Sequence, residues 1–433
     1  MERLGSLVRK LLRLAWPVAL ARLGIMGMSV VDVMVVGQLA PTELGWQALG
    51  WAPVHVLTVS GIGLLYGVQV LAARAVGASD RARAGGAWRR GVLLAAASGV
   101  LAMGLVWLTS GHLFAAFGIE PGLATNSARV SQILALSVPP YLLYVASSFF
   151  FEAIQRPLVS TLAMWGANVV NLILNLWLVP KWGAVGSAWC TVGARVFLAL
   201  VLMALIWRLP ESEGWSVRQK ARSAPTWREL LGVGAATLLS NAVESGAFSG
   251  MTIIAGRLGE RAVASYQIVL NLLSVIFMLS LGISSATGVL TAEAVGRRAL
   301  PDARRATQVG LALNAGVMAL IGIALLLFAP QISRAYTRDA ALAAAVTGTL
   351  WLATLIVVPD GGQVVAAAAL RARGDNWFPT LSHFLSYAAI MPPLAYYLAE
   401  IQARGVTGLM LAILAASIVS YAILVARQRT LRT

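Results

Sequence analysis

Three carboxylates sit inside long apolar runs: Asp32 in SVVDVMVVGQL, Glu244 in NAVESGAFSG and Asp360 in LIVVPDGGQVV. A carboxylate in the middle of a membrane-spanning helix costs about 2.5–3.5 kcal/mol on insertion scales. Three of them call for a use. One use is structural pairing with Arg22 or Arg195, the two cations that also fall inside apolar runs. The other is reversible binding of a proton or of Na⁺. Withdrawal from water favours the protonated form of a carboxyl group, and carboxylate and carbonyl oxygens suit hard cations. Ionised, the same acids attract organic cations. Glu152 and Glu293 lie nearer the ends of their runs, where they are expected to reach the membrane interface.

The local context sharpens these expectations. Asp360 follows Pro359 and precedes Gly361-Gly362. Proline and paired glycines interrupt helices and free backbone carbonyls, an arrangement found at midplane ion sites. Asn171 and Asn175 are spaced i, i+4 on one helix face, and alone they read as helix–helix hydrogen-bonding residues. His55, His112 and His383 are scattered and read as interface or packing residues, and the single Cys190 as a small apolar core residue. Of the 14 tryptophans, most fit interfacial belts, with a few placed to contact a cationic drug. The sequence carries no Walker A, HExxH or CxxC spacing and no Ser/His/Asp pattern, so neither an enzyme nor a cofactor is expected.

The elements that position these residues follow from composition. The 433 residues are 59% hydrophobic and 12% charged, against roughly 25% charged in a soluble domain. Continuous apolar runs without period-two alternation indicate helices in a bilayer, not a barrel. At about 20 residues per crossing, twelve spans are expected. The first six are Leu14–Val36, Val54–Ala75, Val92–Ser110, Val130–Phe150, Leu158–Val179 and Val185–Trp207. The second six are Leu230–Ile254, Ala264–Ala292, Val309–Phe328, Ala344–Leu370, Trp377–Leu398 and Val406–Val425. The net charge of +16 would suit nucleic acid, but its distribution is a topology signal. Of the 33 Lys and Arg residues, twenty-four fall on one side of these spans: both termini (Arg3 and Arg432 included), the central linker with Lys220 and Arg222, and the loops around Arg83 and Arg304. Seven fall on the other. Both termini and the linker are therefore expected in the cytoplasm. The first 13 residues are basic and amphipathic and lead into the first span without the form of a cleavable signal.

The chain also repeats itself. LLRLAWPVALARLGIMGMSVVDVMVVGQL aligns with LLGVGAATLLSNAVESGAFSGMTIIAGRL, placing Gly37 on Gly256 at an offset of 219. AARAVG matches TAEAVG at the same offset, and Gly183-Ala-Val-Gly186 answers Gly405-Val-Thr-Gly408 at 222. The implied organisation is an N-terminal lobe over 1–208, a cytoplasmic linker over 209–228 and a C-terminal lobe over 229–433. With an even number of spans each, the halves are parallel repeats about an axis along the membrane normal. Asp32 maps onto Met251, and Glu244 lies seven residues earlier, two helical turns away on the same face. Each lobe thus offers an acid on the corresponding helix, and Glu244 with Asp360 suggests a cation site in the C-terminal lobe.

These segments resemble the multidrug and toxic compound extrusion (MATE) family, in its NorM-like branch. VVDVMVVGQL resembles the family's first-helix acid motif, LLSNAVESGAF its seventh-helix glutamate, and VVPDGGQVVAAAALRARGDNW its tenth-helix acid. NVVNLILNLWLV matches the fifth-helix asparagines, and SYQIVLNLLSVIFMLSLGISSATGVL is similar to the eighth helix, with Gln267 and Asn271 in place. The resemblance implies an all-α, V-shaped pair of pseudo-symmetric six-helix lobes in the bacterial inner membrane, exporting cationic, lipophilic small molecules as a monomer in exchange for Na⁺ or H⁺. It implies that Glu244 and Asp360 bind the coupling cation, forming a Na⁺ site where Na⁺ is that cation, and that Asp32 with Asn171, Asn175 and Thr191 forms a site in the N-terminal lobe. One departure is Ile356, where NorM-like proteins often carry a tyrosine one turn before the acid. Arg22 in the first span is another, and it is placed to pair with a buried acid. Arg22 and Arg195 would also suit a lipid-linked saccharide flippase of the same superfamily, and a receptor or scaffold without transport is the alternative from another class.

Overall fold

A computed structural model describes residues 4–116, 119–218 and 224–430, so Arg3, Lys220, Arg222 and Arg432 lie outside the described residues. The helices run α1 (Leu4–Leu39), α2 (Leu44–Gly77), α3 (Arg81–Ala116), α4 (Pro121–Ala135), α5 (Val138–Ala153), α6 (Pro157–Trp207) and α7 (Trp227–Arg257). They continue as α8 (Glu260–Gly296), α9 (Leu300–Leu327), α10 (Ala329–Tyr336), α11 (Ala340–Ala372), α12 (Trp377–His383), α13 (Met391–Tyr396) and α14 (Gly405–Thr430). Among the described residues there is no strand.

Nine helical stretches of the described residues are long and apolar enough to cross a bilayer. All twelve expected spans are nevertheless helical, and the difference has three physical causes. At 51 residues α6 holds two spans, folded at Gly183 (φ 54°, ψ −134°). The polar residues Ser240, Asn241, Glu244, Ser245 and Ser249 make α7 less apolar than its neighbours. The eleventh span, 377–401, is cut into short pieces by π-helical turns at Phe384–Ile390 and Tyr397–Ile401. Pro392 and Pro393 lack backbone N–H groups at this point, and the ladder widens around them. Side chains such as Leu101, Leu108 and Leu320 are 70–77% exposed. Outward apolar faces of this kind belong in lipid.

The GxxG pairs that mark the repeat have one structural meaning in both halves. Gly183 and Gly405 take positive φ (54° and 56°) at the turns before the sixth and twelfth spans. A Cβ on Gly186 would stand 2.7 Å from the Leu178 carbonyl oxygen, and one on Gly408 would stand 2.7 Å from the Ala399 nitrogen. A left-handed turn followed by a close helix crossing needs glycine at both places. At Gly183 the turn is also held by Glu43, whose Oε2 accepts from the Ala184 N–H at 2.7 Å. Gly183→Ala is expected to cost about 1–2 kcal/mol from backbone strain alone. A lowered thermal midpoint in detergent is the expected reading; an unchanged one would remove the strain.

Two compact units form, one of Leu20–Leu238 and one of Met1–Ala19 with Leu239–Thr433. In the second, α11 is central and packs on α8, α9 and α14, and the start of α1 (Leu7, Leu11, Leu14) joins the core with Ile283 and Leu290 of α8. In the first, α2 packs on α3, α4 and α5. Here the start of α7 is received closely: a Cβ on Gly67 would stand 2.6 Å from the Leu230 carbonyl oxygen.

The linker is docked on the Leu20–Leu238 unit. Trp215 is buried, edge-on to Phe150 at 6.0 Å and beneath Arg81. Glu213 accepts from Trp215 Nε1 at 2.6 Å and from Arg156 Nη2 at 3.0 Å, and Arg83 pairs with Glu229 at 3.1 Å. The Trp215 indole first, then Arg156, hold the Glu213 carboxyl below the usual glutamate value. A depressed carboxyl contributes its stability above the unfolded-state value and loses it as pH falls through the folded one. Limited proteolysis of the linker is therefore expected to accelerate on acidification below the ordinary glutamate range, and in Glu213→Gln at neutral pH. Equal cleavage rates in all three conditions would contradict the docking.

Candidate functional site

In the Leu20–Leu238 unit, α1 and both arms of α6 converge on Asp32, which is 1% exposed. Its Oδ1 accepts from Asn171 Nδ2 at 3.0 Å and Asn175 Nδ2 at 2.7 Å, and its Oδ2 accepts from Thr191 Oγ1 at 2.8 Å. The i, i+4 spacing puts both asparagines on one face of α6, and the fold at Gly183 returns the chain so that Thr191 approaches from the second arm. All three donors are neutral. The amide oxygens of Asn171 and Asn175 are buried without a protein partner. The cluster thus combines one carboxylate with hydroxyl and amide groups, a donor set that suits a proton or a hard cation.

In the other unit, Asp360 of α11 is partly buried, and its Oδ1 accepts from Tyr387 OH at 3.3 Å and Ser417 Oγ at 3.2 Å. Tyr387 comes from the first π-helical turn of the eleventh span, so a phenol reaches the acid even though Ile356 stands one turn before it. Glu244 of α7 lies 3.7 Å from His383 Nδ1. Its side chain is 19% exposed, which leaves it a path to exchange. His383 is four residues before Tyr387, and the two rings meet edge-on at 5.6 Å. The eleventh span therefore carries one side chain toward each acid. Among the described residues no Lys or Arg lies within ion-pair distance of Asp32, Glu244 or Asp360.

Several expectations need correction. α11 runs unbroken through Pro359, Gly361 and Gly362, so these residues do not interrupt the helix. The glycines serve packing instead: a Cβ on Gly361 would meet Ser280 Oγ and the Asn314 amide, and one on Gly362 would meet the Tyr421 ring. Glu152 does not reach the interface. It is 4% exposed, lies 3.7 Å from Arg22, and accepts from Gln69 at 2.6 Å and Ser148 at 3.1 Å. Arg22 thus pairs with Glu152. Arg195 is buried, donates to Ser137 Oγ at 2.9 Å and stacks on Tyr141 and Trp51. Gln267 and Asn271, which the resemblance puts among candidate substrate-contacting residues, are exposed on α8 and stand apart from both acid clusters: Gln267 lies 3.5 Å from Thr252 Oγ1, and Asn271 accepts from Tyr336 of α10. Tyr387 and Ser417 carry no signal in the sequence, and His383 reads there only as an interface or packing residue; His383 and Tyr387 sit four residues apart, just before the Met391-Pro-Pro segment.

A family model described as MatE matches residues 17–177 and 236–397, once in each half. The chain belongs to the MATE family. It is a multi-pass membrane transporter, not an enzyme. It is 40% identical over 429 residues to a probable multidrug resistance protein NorM of Caulobacter vibrioides, covering 98% of this chain and 91% of that one. It is 28% identical to the multidrug resistance protein PmpM of Pseudomonas aeruginosa, covering 92% and 85%. Its fold matches an outward-facing structure of a multidrug resistance MATE family transporter of the MOP superfamily, with a TM-score of 0.89 at 18% identity over 98% and 95% of the two chains.

Proposed function

We propose that this MATE-family protein exports lipophilic, cationic small molecules from the cytoplasm in exchange for Na⁺ or H⁺, by alternating access in a bacterial inner membrane. Both termini face the cytoplasm, as the distribution of Lys and Arg supports. The observation that carries the reading is chemical: a buried or half-buried carboxylate in each unit is held by neutral hydrogen-bond donors, with no Lys or Arg among the described residues within ion-pair distance. A carboxylate locked to arginine has its charge cancelled throughout the cycle. One held by Asn, Thr, Ser or Tyr can accept a cation and give it up.

Glu244 and Asp360 are the coupling groups of this proposal, and Asp32 with Asn171, Asn175 and Thr191 is the corresponding site in the other unit. The likeness to NorM and PmpM supports drugs as the exported class. A flippase for lipid-linked saccharides needs free cations for a pyrophosphate, and the pairing of Arg22 with Glu152 removes one of the two that suggested it. The test is resistance and ethidium efflux in a host stripped of its own efflux pumps. Expression is expected to lower ethidium accumulation and to raise the tolerated drug concentration. No change in either, with the protein inserted in the membrane, would refute the reading.

A further inference from the structure

The antiport reading uses Glu244 and Asp360 and leaves a third ionisable side chain beside them without a role. His383 is 3% exposed. Its Nδ1 stands 2.7 Å from Ser240 Oγ and 3.7 Å from Glu244 Oε2. Its Nε2 is buried and has no hydrogen-bond partner. Leaving a buried polar atom unpaired costs about 1–3 kcal/mol, and the large majority of buried polar side-chain atoms in folded proteins are paired. A change of charge would act at the other nitrogen, Nδ1, which faces both Ser240 and Glu244. Neutral, it rests on the Ser240 hydroxyl; protonated, it gains Glu244 as an ion-pair partner.

We infer that His383 is a proton-binding site of the transport cycle that exchanges a proton with Glu244, so that the counter-ion at this site is H⁺. The transfer balances simply: the proton leaves Glu244 Oε2 for His383 Nδ1, giving a carboxylate and an imidazolium with no change in electron count. The Ser240 hydroxyl follows by rotation, donating to a bare Nδ1 and accepting from a protonated one. An imidazole nitrogen beside the carboxylate suits a proton better than Na⁺, which prefers an all-oxygen shell. The groups facing this pair are Ser240 of α7, Asp360 and Arg371 of α11, Tyr387 of the eleventh span and, through Asp360, Ser417 of α14. Tyr387 touches the His383 ring and donates to Asp360, which ties the second acid to the same cluster.

The inference rests on the antiport reading, and the experiment separates the two. Ethidium transport into proteoliposomes is measured under an imposed pH gradient at equal Na⁺, and under an imposed Na⁺ gradient at equal pH. The wild type is expected to respond to the pH gradient and not to Na⁺. His383→Gln is expected to lose about tenfold or more of the pH-driven rate while ethidium binding in detergent changes less than about threefold. Ser240→Ala, which keeps the imidazole and removes its hydroxyl partner, is expected to transport with a displaced pH profile. Transport driven by Na⁺ at equal pH would overturn the inference and leave antiport standing, as would a wild-type pH profile in His383→Gln. Should His383→Gln fail to fold, an unchanged profile in Ser240→Ala overturns it. Wild-type protein that moves ethidium under neither gradient refutes antiport itself.

Discussion

Asp360→Asn and Glu244→Gln are each expected to abolish drug resistance in an efflux-deficient host while leaving membrane insertion and expression intact. Both replacements keep the volume and remove only the charge. At Asp360, Tyr387 OH and Ser417 Oγ still find an acceptor in the amide oxygen of an asparagine. At Glu244, the glutamine amide remains within reach of His383. Packing survives and titration does not. The loss should therefore be large in transport, about 100-fold or more given that a general acid–base group contributes 10²–10⁴, and small in stability. Full efflux by both variants would sink the role of the C-terminal acids. Loss of insertion would recast them as structural.

Arg22→Met is expected to have the opposite profile, a large stability effect. Glu152 is 4% exposed and Arg22 is its cationic partner at 3.7 Å, with Phe149 under the guanidinium. Removing one member of a buried ion pair leaves an uncompensated charge and costs about 3–5 kcal/mol. Replacing both, in Arg22→Met with Glu152→Gln, removes the stranded charge and should recover most of that loss, since apolar or neutral replacements of buried pairs are often nearly neutral. Gln69 and Ser148 can still hydrogen-bond a glutamine. Thermal midpoints in detergent for the wild type, both single variants and the double variant form the cycle. An additive result, with the double variant losing the sum of the single losses, would deny the coupling.

The two site clusters were unequally legible, and the reason is geometric. Asp32, Asn171, Asn175 and Thr191 could be grouped because an acid in one apolar run and amides at i, i+4 in another announce themselves, and the MATE resemblance joined them. The environment of Asp360 and Glu244 could not be assembled this way. Tyr387 and Ser417 are 27 and 57 residues from Asp360, and His383 is 143 residues from its Ser240 partner. Hydroxyls and a lone histidine in apolar spans carry no spacing signal until helices pack. Nearness to a span's end suggests access to water for Glu152, but α5 turns that end inward against Arg22. Pro359 and its following glycines suggested a broken helix, but α11 stays continuous because Gly361 and Gly362 are spent on close approach to Ser280, Asn314 and Tyr421. The twelve spans, by contrast, follow from continuous apolar runs of bilayer length, and the GxxG pairs mark the repeat, although only the packed helices give them their positive-φ turns.

The central claim, that buried acids exchange a cation for a drug, is tested most directly by running the coupling backwards. In sealed proteoliposomes without an imposed ion gradient, a steep ethidium gradient is applied while internal pH and Na⁺ are followed with trapped indicators. The account predicts that ethidium moving down its gradient drives H⁺ or Na⁺ in the opposite direction, and that this ion movement disappears in Asp360→Asn. Ethidium crossing through the wild-type protein with no accompanying ion movement, or with ion movement undiminished in Asp360→Asn, would contradict it.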